Sequence, residues 1–159
     1  MDTRTGPRTA CRRHLIVANE TLPSPALAKL VATRRSDGPS LFHVVVPRRR
    51  RSLLVAEPLM AAADASQTVG QLRLRDRRHK LAEARLDAFF RAYDYLGQSL
   101  SGEVAECRPE IAVKRAMATE PFDEIIISTH LDRTSLGRRL DLPTRLRRAF
   151  GVPVATLVQ

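Results

Sequence analysis

Residues 123–154 read DEIIISTHLDRTSLGRRLDLPTRLRRAFGVPV, and the fold is decided here. Ile125–Ile127, behind an acidic pair and ahead of Ser128-Thr129-His130, is a short β-branched run of the kind that fills a parallel strand covered on both faces. The segment LPTRLRRAFG then spaces Leu142, Leu146 and Ala149/Phe150 one helical face apart, with Gly151 as a stop. Asp141 reads as its N-cap and Pro143 as a first-turn residue. The final stretch, VPVATLVQ, is a second apolar strand. A strand, loop, helix and strand in that order form a crossover unit, whose strands must run parallel. The loop between Ser128 and Asp141 therefore lies at the carboxyl end of a strand, where α/β proteins often seat a phosphate.

Upstream the same alternation repeats. HLIVAN (14–19) and SLFHVVVP (40–47) are strands. Between them Ser24 caps a helix, Pro25 opens it, Leu27, Leu30 and Val31 form its apolar stripe, and Gly38 closes the segment. Residues 71–96 carry Leu81, Ala82, Leu86, Phe89, Phe90, Tyr93 and Leu96 at helical spacing, followed by Gly97 as a C′ residue. SLSGEVAEC (99–107) is a weaker third strand. RPEIAVKRAMATEPF contains a helix turning Ile111, Ala112, Arg115, Ala116 and Met117 inward. The expectation is a three-layer α/β sandwich, with five parallel strands and four helices. Residues 1–13 are a polar tail, 14–159 one domain, and 48–70 a long loop inside it.

Composition bounds the function more loosely. A chain of 159 residues with 43% hydrophobic and 28% charged content suits one globular domain. No apolar run approaches a membrane span, and Leu15–Ala18 is too short for a secretory signal. Cys11 and Cys107 make neither a metal-ligand pattern nor a disulfide framework, so a cytoplasmic location is expected. The net charge of +10 is carried almost wholly by arginine. It attracts polyanions whatever the role of the protein and does not by itself assign one.

The alternation of elements, the long second crossover, LFHVV (41–45) and the close DEIIIST…GVPVATLV resemble the universal stress protein family over roughly residues 14–159. The resemblance implies a Rossmann-like sheet of order 3-2-1-4-5 and a homodimer that pairs through PVATLVQ. It also implies a ligand crevice where the winding reverses, between the first and fourth strands. That crevice is expected to be lined by Asn19 and Glu20 on one side and by Ser128, Thr129 and His130 on the other. Val44 matches the position that contacts adenine in the family.

Nucleotide-binding members hold the triphosphate in a glycine-rich loop, whose open backbone N–H groups close on phosphate oxygens. In this chain Ser128, Leu131, Asp141 and Leu142 occupy the three glycine positions and the Ser/Thr position. A capping carboxylate at Asp141 would also repel a phosphate. ATP or AMP binding in the family manner is thus disfavoured, unless Arg138 and Arg139 fold over the site. No metal or resident cofactor is implied.

Single residues add little chemistry. His130 and Ser128-Thr129 read as loop groups satisfied by backbone, His43 as packed in the sheet, His14 and His79 as surface residues, and Cys107 as a half-buried side chain. Ser135 lacks a nucleophile-elbow setting. Arg48–Arg51 read as solvated loop charge. The expected function is a non-catalytic, universal-stress-like regulatory protein acting through an unknown protein partner or a small crevice ligand. The alternatives are an adenine-nucleotide binder using Arg138 and Arg139, and a nucleic-acid-associated protein using Arg48–Arg51, Arg145, Arg147 and Arg148.

Overall fold

The computed structural model describes residues 11–18, 20–48, 65–129 and 136–159; the side chains of 65–69, 71 and 136–141 lie outside that description. Five parallel strands form one sheet: β1 (Arg12–Ala18), β2 (Ser40–Pro47), β3 (Leu100–Ala105), β4 (Glu124–Thr129) and β5 (Val154–Val158). Their order is β3-β2-β1-β4-β5, the order that the resemblance implied. Four α-helices accompany them, α1 (Pro25–Ser36), α2 (Ala65–Ala92), α3 (Pro109–Thr119) and α4 (Leu136–Phe150), with a 3-10 turn at Asp94–Ser99.

Period-two alternation divides the core into two layers. Ile16, Ala18, Phe42, Val44, Val46 and Ile126 face α1 and α2, meeting Leu27, Val31, Ala82, Leu86, Phe89 and Tyr93. Leu15, Val17, Val45, Ile125 and Ile127 face α3 and α4, meeting Ala112, Val113, Ala116 and Leu146. Gly102 lets α2 and β2 close on β3: a Cβ there would lie 2.7 Å from the Val44 carbonyl oxygen and 3.1 Å from Leu86 Cδ1.

Several boundaries differ from the sequence reading. β1 starts at Arg12, so the ordered domain takes in the end of the expected tail. α2 starts at Ala65, inside the expected loop, and stops at Ala92. Gly97, with φ +52°, therefore lies within the 3-10 turn and does not end α2. Leu81 is half exposed, and among the side chains described from Leu72 onward Ala82 is the first to be buried. In α3 the inward stripe is Ala112, Val113 and Ala116; Ile111 and Arg115 face outward, one helical position out of phase with the expectation.

The largest difference concerns α4. It begins at Leu136, so Asp141 and Pro143 sit well inside it. An interior residue has its own N–H committed to the preceding turn and cannot act as N-cap. The capping role expected of Asp141 is therefore withdrawn, and with it the argument that this carboxylate blocks a phosphate. The Asp-x-Pro signal misled because a proline that normally opens a helix is here tolerated within one.

Candidate functional site

β1 pairs with β4 in the register Ala18↔Ser128, so the reversal of winding and its crevice lie between these carboxyl ends. Ser24 caps α1 from that end, accepting the Leu27 N–H at 3.3 Å. Ser128, next to last in β4, is 5% exposed. The side-chain amide of Gln159, just past β5, reaches across the opening and donates to Ser128 Oγ at 3.1 Å and to Ser24 Oγ over a shorter distance. The Gln159 backbone N–H donates to the Thr129 carbonyl at 3.0 Å. One amide thus ties α1, β4 and β5 together. In the same loop Thr21 is 3% exposed, and its buried hydroxyl has no hydrogen-bond partner among the described residues.

Of the residues expected here, the structure brings Ser128 and Thr129 to the crevice, and Glu20 lies exposed in the loop after β1. Val44 is fully enclosed in the core in mid-strand, where its side chain packs the α1/α2 layer. Asn19 and His130 lie outside the described residues, as do the side chains of Arg138, Arg139 and Asp141. The participation of Thr21, Ser24 and Gln159 was not foreseen. The first two follow a strand at the crevice, which was a usable signal; Gln159 carried none.

The opposite end of the same seam holds a different arrangement. His14, expected at the surface, is 1% exposed and stacks on Phe42 with ring centroids 5.0 Å apart. Its Nδ1 lies 2.9 Å from Glu124 Oε2. Arg34, in the last turn of α1, donates from Nε and a terminal nitrogen to the two oxygens of Glu124, each at 2.7 Å. Burial would raise the Glu124 pKa, but the hydrogen bonds from Arg34 and His14 and their charges outweigh it and hold the carboxyl at about 2. Glu124 is therefore an ionised acceptor at neutral pH, and His14 donates to it through Nδ1–H; Nε2 is buried without a partner among the described residues. A cavity of about 740 Å³ lies alongside, lined by Arg12, His14, Arg34, Asp123, Glu124 and others.

This trio pins the C-terminal turn of α1 to β4. Both Glu124 oxygens are taken up by Arg34 and His14, and among the described residues no nucleophile touches the trio. His43, expected to be packed in the sheet, is half-buried, with Nδ1 2.8 Å from Ser101 Oγ on the neighbouring strand, and burial lowers its pKa. His79 pairs with Glu83 at 3.1 Å on the surface. Arg48 departs from the solvated-charge reading: it is 9% exposed, donates to the Arg75 carbonyl and pairs with Glu106 at 3.4 Å. Arg49–Arg51 lie outside the described residues. Arg145 pairs with Glu110 and Arg147 donates to the Val154 carbonyl, so both are partly committed within the domain.

Fold and bridge together define a Rossmann-like α/β protein in which an amide links two serine hydroxyls at the carboxyl ends of β1 and β4. No protein-family model matches the chain, and no curated protein matches it. Among the described residues no helix is long and apolar enough to cross a membrane, and no group of His, Cys, Asp and Glu could hold a metal ion.

Proposed function

We propose that this chain is a non-catalytic regulatory protein of the universal-stress type, acting in the cytoplasm through a small polar ligand at the β1/β4 crevice. The observation that carries the reading is the Gln159 amide bridging Ser24 and Ser128. The bridge is a neutral, replaceable contact: a ligand that accepts hydrogen bonds can take both hydroxyls if the amide swings away, and the orphan Thr21 hydroxyl offers a third. The same bridge, with a side chain at Ser128 where the family has glycine, supports weak or absent binding of a triphosphate in the family manner. The outer edge of β5, with Thr156 and Val158 exposed, supports a homodimer paired along that strand.

One observation favours a second reading, an adenine-nucleotide binder. Because α4 starts at Leu136, Arg138 and Arg139 belong to its first turn, at the carboxyl end of the sheet. Thermal unfolding with ATP, ADP and AMP separates the two. The first reading expects no shift for the wild type, whereas a rise of several degrees with millimolar ATP would establish the second, since a ligand that binds only the native state stabilises it. Native mass spectrometry of freshly purified protein reads any retained ligand and the subunit number together.

A further inference from the structure

Within α2, the stretch Leu72–Arg78 has no buried stripe. Every residue of Leu72–Arg78 is exposed, over nearly two turns, although a helix lying on a sheet buries one stripe. With ~1.5 Å of rise per residue, α2 outruns the short strands it covers, and the half before Ala82 projects past them. Leu72–Leu81 holds five basic residues against one acidic residue.

Their arrangement around the helix is ordered. Leu74 and Leu81, 54% and 51% exposed, fall on one line along the arm. Arg73, Arg77 and Lys80 flank that line on one side and Arg78 on the other. Asp76, Glu83 and Asp87 recur on the reverse face. Arg75 and His79 turn toward the domain, where both meet Glu106. Arg73, Arg77, Arg78 and Lys80 have no ion-pair partner among the described residues.

We propose that Leu72–Leu81 is a binding arm for double-stranded DNA. A single helix fits the B-form major groove, which is about 12 Å wide. Cations on both flanks would reach the phosphates of the two groove walls, and the leucines between them would face base edges, where thymine offers a methyl group. The acidic face points away from the duplex. A second copy of the chain is a poor occupant, because two such arms repel. Two leucines are too narrow an apolar face for a membrane surface. The deep, narrow groove of duplex RNA does not admit the helix. This inference is independent of the crevice and of any ligand there.

The test is fluorescence anisotropy of the full chain with a labelled duplex of about 20 base pairs, in a salt series. The triple variant Arg73→Glu, Arg77→Glu, Arg78→Glu is compared with a charge-matched control on exposed α3 and α4 positions, Lys114→Glu, Arg115→Glu, Arg148→Glu. Circular dichroism verifies that both fold. The arm variant is expected to bind at least ~30-fold more weakly near 100 mM salt and to lose roughly two to three from the slope of log affinity against log salt. The control should stay within a few-fold of wild type, and the same sequence as duplex RNA should bind wild type at least ~10-fold more weakly. Equal losses in both variants, equal affinity for duplex RNA, or wild-type binding to anionic phosphatidylserine vesicles but not to DNA would each overturn the proposal.

Discussion

At the amino end of the β1/β4 seam, Arg34 and His14 converge on an ionised Glu124 that is nearly buried. At the carboxyl end, the Gln159 amide joins two serine hydroxyls, and no charge takes part in the bridge. Both clusters do the same mechanical task, since each fastens one end of α1 to β4. Their energetics differ. A largely buried carboxylate is costly to strip of its partners, because water replaces them incompletely around the charge left behind. A neutral hydroxyl freed of its amide can take another donor or acceptor. The charged end locks the helix, and the neutral end leaves it open to exchange of partners.

That contrast can be broken experimentally. The largest effect belongs to Glu124→Ala, which strands Arg34 and His14. We expect a loss of about 3 kcal/mol in urea unfolding, and a loss below ~1 kcal/mol would show that the trio is not a lock. Next comes the acid response. The folded-state pKa of Glu124 is depressed to about 2 from an ordinary value of 4.5, so its contribution is complete above roughly pH 4.5 and disappears as pH falls toward 2. Unfolding free energies measured across that window should fall by roughly 3 kcal/mol more in wild type than in Glu124→Gln.

The carboxyl end should respond more gently. Ser24→Ala removes both the helix cap and one partner of the bridge, for about 1 kcal/mol. Gln159→Ala should cost less than ~1 kcal/mol, because Ser24 keeps its bond to Leu27 N–H and both hydroxyls gain water. Neither loss should change between pH 4.5 and 2, as no ionisable side chain joins the bridge. A pH-dependent cost for Gln159→Ala would erase the distinction between the two ends.

The sheet was legible because its strands announce themselves locally. Ile125–Ile127, Leu15–Val17 and Val44–Val46 are apolar runs that have no other stable home than a layer covered on both sides. The lock was not legible. His14, Arg34 and Glu124 are up to 110 residues apart, and each alone resembles an ordinary polar residue at the end of an element. Parity held a faint signal. His14 is in phase with Ile16, and Glu124 with Ile126, so both had to point into the α1 layer once the strands were neighbours. At the other end Ser128 was found because it directly follows the obvious apolar run Ile125–Ile127. Asp141 was misplaced because local capping grammar competes with a helix that starts five residues earlier.

The uneven burial along α2 has a thermodynamic corollary. Past Ala82 the helix is welded to the core through Leu86 and Phe89, and its amides can exchange with deuterium only when the whole layer opens. Over Leu72–Arg78 the same continuous helix buries no side chain of its own and meets the domain through polar contacts of Arg75 and the adjoining His79 with Arg48 and Glu106, so it can unwind without dragging one of its apolar side chains out of the core. One element therefore spans nearly the full range of local stabilities, graded from a permanent root to an easily melted tip.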